Sequence, residues 1–491
     1  MYLLLHITYQ HLFQNPSAAI QNTLQDIEHK YFNRSFKTTH RIPTFYGLVK
    51  IHKTPWTLRP VVSCCGSLLA TVSTWIDFHL QRIRHTLPTF IKDSHQFQKE
   101  LSRIKVPKNT KIFTCDAISM YTNIDIDHSI AIIHAWFEEF HNELPTNLPT
   151  NLILTALDIV MKNNIFTFGD TNWLQLKGTA MGTPCACMVA SLYFAYHERK
   201  TILNKYKEQI IFYKRFIDDV FCLWKETDQQ TNRNSLTSFQ KDMNNFGSLK
   251  WEFEPLTTKT TFLDLTVTLL PKHTSQRSID DFYAIQFQTF QKPMNLYLYI
   301  PPHSAHPPGT IRSLVYSQLR KYWYQNTNKD DFTNIAKTFF HRLIDRGHNK
   351  DKIINLFRET ATALDRTHHL QNLPTNDNIE TPTTTDTLYI KWRFHPNDIS
   401  RTAIRKIYHQ TCETASATSP TGFQQLPTDT GETMSVKKLT IAFTRDRNLR
   451  DLLIPSKLKQ STKYSVKQLL AVRRGDHDIS EHNNDNLPHH L

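Results

Sequence analysis

Three aspartates carry the chemistry this chain could do. Asp218 and Asp219 are neighbours in "FYKRFIDDVFCLW" (212–224), inside a run that is otherwise apolar. Ile210, Ile211, Phe212 and Tyr213 come before them, and Val220, Phe221, Leu223 and Trp224 come after. Two adjacent carboxylates repel each other and desolvate poorly, so such a pair persists where a cation or cationic partner neutralises it. The flanking runs read as strands joined by a tight hairpin, with both acids at its tip. An ordinary Asp-rich turn has the same appearance, and a divalent-metal site needs a further carboxylate from elsewhere. Asp116 is the candidate. It lies in "KIFTCDAISMYTNI" (111–124), where the alternation predicts a strand with Ile112, Thr114 and Asp116 on one face, running into a helical segment. Asp116 with Asp218 would form a two-metal platform of hard oxygen ligands suited to Mg²⁺.

The elements that must position these acids are legible around them. Between the two acidic strands lies "QLKGTAMGTPCACMVASLYFAY" (175–196). Gly178, Gly182 and Pro184 predict a tight loop followed by a helix, and glycines there let backbone approach a substrate closely. The simplest alternative is a loop that merely starts a helix. Further along, "DDFTNIAKTFFHRLIDRG" (330–347) predicts a helix with Phe332, Ile335, Phe339 and Leu343 on one face and Gly347 as its stop. Residues 1–40 read as helical and polar, 41–110 as basic and mixed, 111–270 as richest in strands, and 290–365 as helical. Residues 371–387 and 411–435 are polar, rich in Pro or Thr, and read as linkers or long surface loops.

Composition bounds the reading. The 491 residues suit two to four domains, and 39% hydrophobic content with 8 Trp, 18 Tyr and 30 Phe is enough for sizeable cores. Lys and Arg number 58 against 44 acidic residues, a net charge of +14. That surplus suits a polyanionic partner, although it also suits a basic surface kept for solubility. Seven cysteines, an odd number, argue against a disulfide scaffold and for a reducing compartment. Cys64-Cys65 and Cys185-x-Cys187 lack zinc spacing and read as small buried residues. The short apolar run at the N-terminus is interrupted by His6, and no stretch reaches membrane-spanning length.

The order of these pieces resembles the reverse transcriptase palm, and more narrowly the Penelope-like retroelements, a reverse transcriptase branch near telomerase. "FYGLVKIHK" (45–53) resembles the fingers signature, with Val49 where the family usually has Pro, and "LRPVVS" (58–63) follows it. "DAISMYTNI" (116–124), "KGTAMGTPCA" (177–186), "FIDD" (216–219) and "TTFLDLTV" (260–267) resemble successive palm motifs. "HSAHPPGTIRSLVYSQLRKYW" (303–323) is similar to the thumb, and "WRFHPNDISRTAIRKIY" (392–408) and "FTRDRNLRDLLIP" (443–455) to late family segments. The family's chains usually begin well upstream of this Met1, so an N-terminally shortened copy is expected. No tandem of the C-terminal GIY-YIG endonuclease type follows residue 455.

The resemblance implies an α+β right-hand polymerase. Its fingers would span 41–110 with a helical remnant at 1–40. The palm, an antiparallel sheet backed by helices, would span 111–289, and a helical thumb with a helix-turn-helix 290–370. A linker and late segment at 371–410 and a basic, partly disordered extension at 411–491 would follow. The implied activity is RNA-directed DNA synthesis from an RNA template, a DNA primer and deoxynucleoside triphosphates, in the nucleus. Asp116, Asp218 and Asp219 would be catalytic and hold two Mg²⁺ ions, with Mn²⁺ as a substitute. Lys50, Lys53 and Arg59 would hold the triphosphate, and Gly182, Thr183 and Pro184 would lie under the nucleotide or templating base. Tyr121 would lie against the sugar; packing under the fingers is its competing account. Arg312, Arg320, Lys321, Tyr322 and Trp323 would grip the template–primer, against the alternative that these aromatics form a helical core. Lys259 would be a general acid or simply an exposed lysine. A telomerase-like or intron-type enzyme, or an inactive, domesticated nucleic-acid-binding relic of the same fold, are the other readings.

Overall fold

The alternation at 110–117 and the apolar runs around the aspartate pair build a single sheet. In the computed structural model, β5 (Thr110–Ala117) lies between β10 (Trp251–Phe253) and β9 (Asp219–Lys225), and β8 (Ile210–Phe216) completes the sheet on the far side of β9, all antiparallel. Period two sorts the side chains. Phe113, Cys115, Ala117, Val220, Cys222 and Trp224 face one way, onto a core that includes Tyr193, Phe194, Phe239 and Met243. Ile112, Phe221 and Leu223 face the other, onto Phe97, Phe262, Leu265 and Phe287. With both faces covered, the strands are apolar almost throughout, and an acid in them stands out. The structure describes residues 9–12, 18–23, 25, 41–51, 55–226, 229–271, 282–304, 306–307, 309–371, 387–395, 397–418, 425–427, 433–435 and 438–445.

A five-stranded sheet lies beside this one, in the order β1 (Tyr9–Leu12), β7 (Thr171–Gln175), β6 (Ile165–Phe168), β2 (Thr44–Lys50), β3 (Thr57–Ser63). It departs from the expected domain ranges in two ways. The 1–40 segment, helical at 18–23 and 25 as expected, also contributes a strand, in which Tyr9 is buried edge-on against Phe45 and Phe166. Strands β6 and β7, expected within the palm range, join the hairpin expected to be fingers. A third sheet, β11 (Lys259–Phe262), β12 (Leu265–Pro271), β13 (Phe282–Thr289) and β4 (Val106–Pro107), covers the first from below. "TTFLDLTV" is a hairpin, turned at Leu263 and Asp264.

The helices are α1 (Ala70–Gln81), α2 (Ser94–Leu101), α3 (Met120–Asn123), α4 (Ile126–Glu139), α5 (Thr150–Lys162) and α6 (Ala186–His197). After α6 come a π-helical turn (Glu198–Ile202), α7 (Leu203–Lys205) and α8 (Gln229–Met243). Helix α6 is buried on nearly every side, because Met188, Val189 and Leu192 pack with α1, α4 and α5 while Ala190, Tyr193 and Phe194 pack on the sheet. A bundle follows: α9 (Thr310–Gln325), α10 (Lys329–Asp345) and α11 (Lys350–Gln371). Asn328 caps α10, and Gly347, at φ +90°, ends it where expected.

Beyond the bundle, β14 (Thr387–Phe394) pairs in parallel with β17 (Lys438–Arg445), and α12 (Arg401–Thr418) packs on them through Ile404. A short hairpin, β15 (Gln425–Pro427) and β16 (Thr433–Ser435), sits between. The expected boundary at 410/411 thus falls inside α12. Residues 372–386 and 446–491, including most of the first linker and the tail, lie outside the described residues. The architecture is α+β, a central antiparallel sheet backed by helices with a helical bundle after it. No described helix is long and apolar enough to cross a membrane.

Candidate active site

The β8–β9 turn is tight because Phe216 and Asp219 still pair, leaving only Ile217 and Asp218 outside the ladder. Ile217 sits at φ +57°, a conformation that β-branched residues rarely adopt. The turn is held from the neighbouring strand, where the Ala117 amide donates to the Asp218 carbonyl at 2.9 Å. The β5–β9 register sets Asp116 directly opposite Asp219. The three acids come together at one end of the central sheet.

Their electrostatics follow from that placement. Burial, then the charges of Asp116 and Asp218, then a hydrogen bond shared with Asp116 push the Asp219 carboxyl up to about 7. Burial also raises Asp218, opposed by a bond to its own backbone and by the positive charges of Arg59, Lys50 and Arg215. Lys50 and Arg59 share a face of the β2–β3 hairpin, since Leu48 pairs with Arg59 and Lys50 with Thr57. That face is turned toward Asp218 closely enough for both charges to act on it. Lys53 lies outside the described residues. Lys292, which follows β13, acts on Asp219 in the same sense. It was not among the expected site residues, because nothing local marks a lysine in a polar loop.

The glycine loop closes the site from the side. Gly178 has φ +81°, and a Cβ there would stand 2.3 Å from the Tyr121 carbonyl oxygen; Gly182 has φ +119°, and a Cβ would stand 2.2 Å from the Val62 carbonyl oxygen. Only glycine lets the loop touch both α3 and β3. The loop is pinned there by Thr179 N to Tyr121 O (2.7 Å) and Val62 N to Met181 O (2.9 Å). Gly182 is exposed. The Thr183 side chain is buried, its hydroxyl 3.4 Å from the Cys64 sulfur, so it supports the loop from beneath. With Pro184 it lines a cavity of about 30 Å³ shared with Val62, Leu68 and Val160.

Tyr121 leaves the end of β5 on α3 and stands within reach of the Asp218 and Arg59 charges. Its hydroxyl lies 3.2 Å from the sulfur of Cys187. Burial, then that contact and the charges of Cys187 and Asp218 raise the phenol, which stays protonated. Cys187, expected to be buried, is instead exposed on α6, as is Cys65 ahead of α1, while Cys64 and Cys185 are buried.

The bundle residues do not join this site uniformly. Tyr322 is buried with Val315, Leu319 and Phe339, and Trp323 packs edge-on against Phe332 at 5.1 Å. Tyr322 thus belongs to the bundle core, the alternative account of the aromatics, while half-buried Trp323 packs against that core from its edge. Lys321 is bound to Asp264 at 2.6 Å, tying the bundle to the β11–β12 turn. Arg312 pairs with Glu359 at 2.7 Å on the surface, and Arg320 is exposed with its guanidinium 5.8 Å from the Tyr324 ring. Lys259 is exposed at the start of β11.

Oxygen-only, anionic and partly desolvated donors are of the kind a hard divalent cation takes. Among the described residues no three His, Cys, Asp or Glu side chains are drawn tightly enough together to hold one as they stand.

No protein-family model matches the sequence, and no curated relative matches it. Some solved structures are similar in three dimensions. Telomerase from Candida albicans in complex with the TWJ fragment of telomeric RNA shares 10% identity at a TM-score of 0.44, over 73% of this chain and 67% of that one. Apo telomerase from Candida tropicalis shares 10% at 0.38, over 75% and 68%. The BmCPV RNA-dependent RNA polymerase at its elongation state shares 9% at 0.42, over 66% of this chain and 29% of that one. The chain spans between 58% and 68% of the telomerase chains it is similar to.

Proposed function

We propose that this chain is a template-directed nucleic-acid polymerase, and more narrowly an RNA-directed DNA polymerase of the Penelope-like kind. The observation that carries the reading is the corner where Asp116, Asp218 and Asp219 meet under Lys50, Arg59 and Tyr121. Three acids there do nothing for packing, and two cations facing one of them suit a triphosphate. In this reading Asp116, Asp218 and Asp219 hold Mg²⁺, or Mn²⁺ in its place. The ions supply charge neutralisation and an acidified primer hydroxyl. Arg59 and Lys50 bind the phosphates of the incoming deoxynucleotide. The exposed Gly182 backbone and the Tyr121 ring bound the base and sugar. Template, primer and deoxynucleoside triphosphates are the partners, and the nucleus is the place of action for an element of this kind.

The test is extension of a DNA primer on an RNA template by the purified chain, with the Asp218→Ala/Asp219→Ala double variant as control. Extension by the parent that the double variant lacks supports the reading. An inactive parent that still binds duplex favours the relic.

A further inference from the structure

Beneath the Ile217–Asp218 turn lies a buried polar network that the proposed chemistry does not use. Glu198 is fully buried and Arg215 is 3% exposed. The Arg215 guanidinium grips Glu198 with two bonds, Nε to Oε1 at 2.7 Å and Nη2 to Oε2 at 2.8 Å. The hydroxyls of Tyr213 and Thr89 donate to the same carboxylate, at 2.9 and 2.6 Å. Glu198 stands where α6 passes into the π-helical turn, a rare form frequent at functional sites. Arg215 also donates to two backbone carbonyls. Nη2 reaches Ser191 in α6 at 2.9 Å, and Nη1 reaches Ile217 at 2.8 Å.

The second carbonyl is the informative one. Ile217 is the turn residue with positive φ, and its carbonyl immediately precedes Asp218. Backbone strain of this kind persists only when surrounding groups over-determine it. Here Arg215 holds the turn from inside, while the Ala117 amide holds it from the strand. Stability does not require an ion pair at this point, because apolar residues of similar volume commonly replace buried pairs without loss. The Phe194 ring lies 5.5 Å from the guanidinium carbon, so apolar packing is at hand. An apolar replacement could fill the space, but it could not hold a carbonyl.

We propose that Arg215 is a positioning residue of the aspartate corner: anchored by Glu198, it fixes the Ile217 carbonyl and so the turn that aims Asp218 and Asp219. The proposal deepens the polymerase reading and rests on it for its catalytic consequence, though not for its structural one.

The test uses the full chain with two variants. Arg215→Met with Glu198→Leu removes both charges and leaves neither orphaned. Arg215→Lys keeps a cation beside Glu198 but loses the fork that also reaches Ile217. Thermal unfolding, amide hydrogen exchange across residues 216–220, and primer-extension kinetics are measured for each. The expected result for the double variant is a chain that still folds but melts below the parent, because the buried hydroxyls of Tyr213 and Thr89 lose their acceptor. Its exchange at Ile217 to Val220 rises by about tenfold or more, and kcat falls by about tenfold or more while KM for the deoxynucleotide stays within about threefold. Arg215→Lys lies between, and it decides the matter by its exchange if the double variant does not fold. Unchanged exchange in a folded variant overturns the proposal, as does a kcat loss no larger than the loss of folded protein. The two readings fail separately. An inactive parent whose variants exchange faster refutes the polymerase and keeps the positioning role. An active parent whose variants match it in exchange and kcat does the reverse.

Discussion

The aspartate corner and the α9–α11 bundle contain residue types that suit nucleic acid, yet they use them differently. In the bundle, Tyr322 is accounted for by packing, Trp323 packs against the core's edge, and Arg312 and Lys321 have carboxylate partners. In the corner, no packing need explains Asp116, Asp218 and Asp219, and the fold raises two of their carboxyls instead of relieving them. Residue type is therefore a weak guide to function and unexplained placement a strong one. Where burial and pairing already account for a side chain, binding is not needed as an explanation.

Substituting the bundle aromatic gives the largest expected effect. Tyr322→Ala opens a cavity beside Val315, Leu319 and Phe339 and removes the hydroxyl that Gln291 reaches at 3.2 Å, so it should cost about 3–5 kcal/mol of stability. Tyr322→Phe should leave duplex affinity unchanged. If the Phe variant loses affinity while melting like the parent, the aromatic binds nucleic acid after all. Next comes Asp116→Asn, which removes charge without changing shape. Extension should fall by about a hundredfold or more, while duplex affinity stays within about a few-fold, because lysine and arginine contacts dominate it. Parental extension by this variant would return the corner to the status of an ordinary acidic turn.

The contrast is partly legible in the sequence. Val315, Leu319 and Tyr322 are spaced four and three apart, the mark of a buried helix face, so the spacing alone carries the burial of Tyr322. Alternation through 111–116 and the paired aspartates likewise announce the central sheet and its turn. Non-local pairings are hidden. Nothing near 165–175 says that this hairpin joins Thr44–Lys50, and nothing near Arg215 names Glu198, 17 residues earlier. A charge inside an apolar strand is the available signal there. Periodicity cannot reveal that Cys187 is exposed and meets Tyr121, because α6 is apolar on nearly every side.

Tyr121 tests whether the corner extends to sugar selection. If its ring lies against C2′, Tyr121→Phe should keep the preference for deoxynucleotides and Tyr121→Val should erode it by about 1–3 kcal/mol. A Val variant that loses stability and both activities in parallel, with their ratio intact, would move Tyr121 to the packing side of the comparison.

Proton linkage gives a smaller effect, on the order of tenfold. The Asp219 carboxyl, pushed up to about 7 from an ordinary 3.8, keeps its proton in the folded chain where an unfolded aspartate has lost it. Without metal, this contribution to stability is complete below about pH 4 and is lost as pH rises through about 7. A divalent cation competes for the same oxygens, so the Mg²⁺ concentration for half-saturation should rise about tenfold per pH unit below 7. Metal titrations at several pH values, read by thermal unfolding, check both signs. A flat dependence would mean that Asp219 does not take part in holding the ion.

The smallest effect separates the bundle's surface from its core. Arg312 and Glu359 are both exposed, so breaking their 2.7 Å pair with Arg312→Ala should change stability by less than about 1 kcal/mol. If the bundle nevertheless lies along a duplex, Arg312 is the cation that would meet a phosphate. Its removal should then lower affinity and reduce the slope of log affinity against log salt by about one. Glu359→Gln should act in the opposite direction, because it leaves the guanidinium without a competing carboxylate and makes it more available to a phosphate. Filter binding of a primer–template at several salt concentrations reads both variants. Opposite shifts would place nucleic acid on the α9–α11 surface while the core beneath remains a matter of packing. If neither variant moves the affinity or the slope, Arg312 is an ordinary surface residue, and duplex binding belongs to the cations around the corner.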